Sequence, residues 1–138
     1  MTRNERTGDM RKGGGLAVLI KDGLTAIGYI PPTPERYLKF ATERVWTLIS
    51  GRNKKIAVGF VYLASTSVPN HVEENKMIYE MLQGDIRALK EEGYSAFLMG
   101  DFNGHLGPRG INNPQGVVGD DMVRNRNGTL LLDFVGQH

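Results

Sequence analysis

Ser95-Ala96-Phe97-Leu98-Met99-Gly100-Asp101-Phe102-Asn103-Gly104-His105-Leu106-Gly107 is the stretch on which the fold turns. Its apolar run, 95–99, has the length of a buried strand, and it stops at a glycine, then at a carboxylate followed two residues later by an amide. If the extended geometry continues past Met99, Asp101 and Asn103 stand at i and i+2 and emerge on one side, with Phe102 turned to the core. A carboxylate and an amide so placed can orient a water and hold an oxyanion, which hydrolysis of a phosphate ester requires. The same residues read equally well as an ordinary turn, because Asp, Asn and Gly each favour turns for local reasons. A calcium loop does not fit, since it needs oxygen ligands at alternate positions and a closing Glu where His105, Gly107 and Asn112 stand.

Working back from this stretch, Ile78, Met81, Leu82, Ile86 and Leu89 follow helical spacing. Asn70 with Glu73 three residues on predicts a helix start near His71, and Gly93 predicts its end. Before that helix, 44–50 and 55–63 are rich in β-formers, and the four residues between them predict a hairpin. Tyr62 closes the second strand of that hairpin. It reads as a packing residue with a wet hydroxyl, or as a side chain reaching a site beside Asp101, because open sheets place ligands at strand ends.

Further back, Gly13-Gly14-Gly15 leads into Leu16-Ala17-Val18-Leu19-Ile20, which predicts a strand buried on both faces. Those glycines are not a phosphate cradle, which needs a strand before them and Lys-Ser/Thr after them. Lys21-Asp22-Gly23 predicts a hairpin turn with 24–30 returning antiparallel until Pro31-Pro32-Thr33-Pro34 ends the strand. Residues 1–12 carry no periodicity and read as a disordered tail. Downstream of the central stretch, Asn127 predicts the cap of a last helix, 129–135, with Leu131, Leu132 and Val135 inward. Asn127-Gly128-Thr129 also spells a glycosylation sequon, set aside because no secretory signal accompanies it.

With 138 residues, 40% hydrophobic and 23% charged, the composition is that of one globular domain at most. Absence of cysteine excludes disulfides and thiolate metal sites. No apolar run approaches a membrane span, so an intracellular protein, of nucleus or cytoplasm, is the expectation, without a membrane partner. A net charge of +2 permits nucleic-acid binding without requiring it.

The blocks 13–20, 56–62, 98–107 and 127–134 together resemble, in order, the endonuclease/exonuclease/phosphatase superfamily. The similarity is closest to the endonuclease domains of non-LTR retrotransposons, which accompany a reverse transcriptase, and to craniofacial-development-protein-2-like proteins. The resemblance implies an α/β (α+β) fold forming part of a four-layer sandwich, mixed β-sheets flanked by helices. It also implies hydrolysis of phosphodiester bonds, of DNA in this branch, with magnesium or manganese as cofactor. By the same resemblance Asp101 corresponds to the aspartate acting on the attacking water, Asn103 to the amide steadying the phosphate, and Tyr62 to the tyrosine donating to it. For a nuclease, Arg109, Arg124, Arg126 and the Arg52/Lys54/Lys55 hairpin are expected near DNA phosphates; the commoner reading of such basic residues is a solvated surface.

Two parts of the family pattern have no counterpart here: the Asn and metal-binding Glu of the first strands, and the final Asp-His pair. The expectation is therefore that 13–138 is the central part of the domain, with the metal ligand unassigned. Two other readings accompany the nuclease: a catalytically inactive remnant serving as an interaction module, and a small-molecule phosphoesterase of the same fold.

Overall fold

β-formers at 44–50 and 55–62 meet across a four-residue turn and set the architecture. In the computed structural model, which describes residues 2–5, 15–51, 54–107 and 123–136, they are β4 (Arg44–Ser50) and β5 (Lys55–Tyr62). They pair antiparallel from Arg44↔Val61 to Ser50↔Lys55, and Gly51 N–H closes the turn on the Lys54 carbonyl at 3.0 Å. β3 (Ala26–Tyr29) adds antiparallel to β4, and β6 (Ser95–Asp101) lies beside β5, giving the order β3-β4-β5-β6. The sheet is mixed, an α/β arrangement in which β5 and β6 are joined through α1 (His71–Glu91). At the junction of β6 with β5, Gly100 has φ 149°, and a Cβ there would stand 1.9 Å from the Val61 carbonyl oxygen, so no other residue fits.

The chain divides into two compact units. The first comprises Met1–Tyr62 and Glu80–Gly100. Its core rests on the β4 and β5 face that carries Trp46, Ala57 and Val61, all buried. Trp46 sits opposite Gly59, and a Cβ on Gly59 would lie 2.6 Å from the indole, so the missing side chain is the space the ring occupies. The second half of α1 is held to the same face by Asp85, which accepts hydrogen bonds from Trp46 Nε1 at 2.9 Å and from Arg44 Nε and Nη2. The second unit comprises Leu63–Tyr79 and Asp101–His138 and includes α2 (Arg126–Val135). Leu63, Ile78, Leu132 and Phe134 are buried in it, and the Tyr79 ring lies tilted on Phe134 with centroids 4.8 Å apart. Burial pushes the Tyr79 phenol above its ordinary range.

The structure corrects several expectations. Thr2–Glu5, expected within a disordered tail, is β1 and pairs antiparallel with β2 (Gly15–Val18) from Thr2↔Val18 to Glu5↔Gly15; the rest of 1–12 lies outside the described residues. The Asp22-Gly23 turn forms, with Leu24 N–H on the Lys21 carbonyl, yet β2 and β3 do not pair: β2 joins β1 and β3 joins β4, in two separate sheets. β2 is not buried on both faces either, and Leu19 beyond it is 84% exposed.

Among the described residues β6 is an edge strand rather than a buried one, alternating exposed and half-buried residues, with Phe97 55% exposed. The residues between the proline run and β4 form a 3-10 helix, Glu35–Glu43, which buries Tyr37 and Phe40. α1 begins at His71 as expected, but Asn70 has φ 60° and contributes its carbonyl, to Glu74 N–H, rather than the extended conformation of a side-chain cap. Gly93, at φ 82°, follows the helix as the spacing predicts. No helix among the described residues is long and apolar enough to cross a membrane.

Candidate functional site

Extended backbone ends at Asp101. Asn103 has φ 45°, in the left-handed region, so the alternation that would have put the two side chains on one side is broken. Instead the loop folds on itself: Asn103 N–H donates to Asp101 Oδ1 at 2.9 Å, an Asx turn that holds the exposed carboxylate in place. The Asn103 side chain turns away from Asp101, its Nδ2 donating to the Leu63 carbonyl at 2.8 Å. Leu63 N–H donates back to the Asp101 carbonyl at 2.9 Å, so the strand end and the chain leaving β5 are stitched together.

A set of asparagines surrounds this loop. Asn125 caps α2 with Oδ1, accepting from Gly128 N–H at 2.8 Å, and the same oxygen accepts from His105 N–H at 3.0 Å. Its Nδ2 donates to the Asn103 carbonyl at 3.2 Å, as does Asn127 Nδ2 at 3.1 Å. Asn127 and Asn75 are both wholly buried, and Asn75 Nδ2 donates to Asn127 Oδ1 at 3.1 Å. The helix therefore starts three residues earlier than expected, at Arg126, with Asn125 as its cap and Asn127 inside it. Burial of Asn127 also removes the sequon from the surface of the folded chain. The fit is close: a Cβ on Gly128 would stand 1.9 Å from the His105 carbonyl oxygen.

Among the residues singled out in the sequence, Asp101 and Asn103 are brought into direct contact. Arg124 lies on the same loop's partner segment, where its Nε donates to the Leu106 carbonyl at 2.9 Å across a single bridge. Arg126 is the exposed first residue of α2. Tyr62 is the last residue of β5, partly exposed, and belongs to the first unit, whereas the others belong to the second. Arg109, Arg52 and His138 lie outside the described residues. In the hairpin, Lys54 is exposed and Lys55 Nζ donates to the Glu92 carbonyl at 3.3 Å and lies 5.3 Å from the Tyr94 ring centroid.

The sequence reading did not single out Asn75 or Asn125. The signal for Asn75 was its place on the apolar stripe of α1, three residues before Ile78.

A magnesium site needs one or two carboxylates with waters and phosphate oxygens around the ion. The 101–107 loop offers one carboxylate, Asp101, and no three His, Cys, Asp or Glu side chains cluster as a metal group among the described residues. Asp101 would be the one carboxylate of this loop to hold such an ion, with waters and phosphate oxygens completing its shell. No protein-family model, curated protein or solved structure matches the chain.

Proposed function

We propose that the chain carries the aspartate loop of a metal-dependent phosphodiester hydrolase, a DNA endonuclease of the retrotransposon kind. The observation that supports this reading is the exposed Asp101 carboxylate at a strand end, fixed by its own loop N–H and backed by buried amides rather than left as a free turn. In that role Asp101 takes a proton from, or orients, the attacking water. Arg124 and Arg126 add positive charge along the nucleic-acid backbone. Asn103 has committed one amide hydrogen to the Leu63 carbonyl, which leaves the second for a phosphate oxygen.

That commitment, with the single carboxylate of the loop, also favours a second reading, a non-catalytic interaction module on the same scaffold. Nicking of supercoiled plasmid by the full chain, with magnesium or with a chelator, separates the two. The hydrolase reading expects magnesium-dependent nicking that falls by about a hundredfold or more in Asp101→Ala, as for loss of a general base. Equal nicking by wild type and variant, both folded, would sink it and favour the module.

A further inference from the structure

Asn127 sits wholly buried at the second position of α2, and each polar atom of its side chain is engaged. Nδ2 donates to the Ala64 and Asn103 carbonyls at 2.9 and 3.1 Å, and Oδ1 accepts from Asn75. Asn75 is saturated in the same way: its Nδ2 also donates to the Ala64 carbonyl at 3.0 Å, and its Oδ1 accepts from Ala64 N–H at 2.9 Å. Only a primary amide brings two donors and an acceptor on one short planar group; a carboxylate has no donor and an alkyl chain has neither. Two such groups are tolerated in an apolar setting because both are fully paired, and a fully paired network holds one geometry. What this network grips is the carbonyl of Asn103, the residue held at φ 45°.

We propose that Asn127, backed by Asn75, is a positioning residue for the Asp101 carboxylate. By holding the Asn103 carbonyl it keeps Asn103 in the left-handed turn, and that turn aims the Asn103 N–H at Asp101 Oδ1. Asn125 adds a second donor to the same carbonyl from the helix cap. The catalytic meaning rests on the hydrolase reading above; the geometry does not.

Amide hydrogen exchange and plasmid nicking on the same samples of the full chain test it. In Asn127→Asp, isosteric but without donors, the Asn103 N–H should exchange about tenfold faster or more, while the N–H groups of β5 keep their wild-type rates. An unchanged Asn103 rate, or an equal acceleration at Asn103 and in β5, overturns the proposal: the first means the loop holds itself, the second that only stability was lost. Should the buried carboxylate prevent folding, Asn127→Ser, smaller and uncharged, is read by the same comparison. In the nicking arm, kcat should fall with KM held. A wild type that does not nick removes the hydrolase reading, and the exchange comparison still decides the positioning role.

Discussion

Asp85 shows what one buried carboxylate demands of its neighbours. It lies almost fully buried on α1, and Arg44 and Trp46 donate to it from β4. Arg44 is held in turn, its Nη2 on Thr33 Oγ1 at 2.9 Å and its Nη1 on the Ala41 carbonyl at 3.2 Å. Burial raises the Asp85 carboxyl above the usual carboxylate range, and the bonds from Arg44 and Trp46 pull the other way without cancelling it. The folded chain thus binds this proton more readily than the unfolded one. Stability from this group is full below the unfolded value near pH ~4 and is lost as pH rises through the folded value. Urea unfolding followed upward from about pH 4 should show a falling component in wild type that Asp85→Asn lacks; parallel profiles for the two proteins would contradict the assignment.

Among elements, the β4–β5 hairpin carries the register of the sheet. Trp46 opposite Gly59 is a lock of shape, since a one-residue slip would bring Val58 or Phe60 against the indole and turn the buried set outward. Gly59→Ala places a methyl 2.6 Å from the ring. Overpacking of this kind costs about 1–3 kcal/mol, so the urea midpoint should drop while the slope of the transition stays as it was. An alanine variant as stable as wild type would mean the indole moves aside freely. At the other end of the chain, α2 owes its start to Asn125, whose side chain serves the helix and the Asp101 loop with a single oxygen.

At the scale of the whole molecule, the β6 edge is the feature that bears on self-association. β6 closes the strand order, no strand pairs on its other side among the described residues, and Phe97 and Met99 stand exposed along it. Apolar open edges recruit other edges, so the double variant Phe97→Lys, Met99→Lys should show less high-mass material on size-exclusion chromatography than wild type. An unchanged elution profile would show that this edge does not self-associate. How far the fold could be read in advance follows the same physics. β4, β5 and α1 were legible because runs of β-formers and a period-3.6 apolar pattern lie wholly within each element. The pairing of β2 with β1 was not, since Asp22-Gly23 specifies a turn but not which strands flank it in a sheet.

Of the candidate site, Asp101 and Asn103 were legible as a pair, but not the direction of the Asn103 amide, which depends on a left-handed residue and on Leu63, forty positions away. Asn75 stood out only as a polar residue on an apolar stripe, which marks it as buried but does not say which carbonyls and amides it serves. The hydrogen bond from Gly128 to Asn125 bears, finally, on how such a molecule ages. An asparagine followed by glycine decays when the glycine nitrogen attacks the side-chain carbonyl carbon, closes a cyclic imide and expels ammonia. At 127–128 that nitrogen is tied to Asn125 and the amide it would attack is clamped by its partners. For as long as the start of α2 stays folded, the dipeptide is sheltered from its own chemistry.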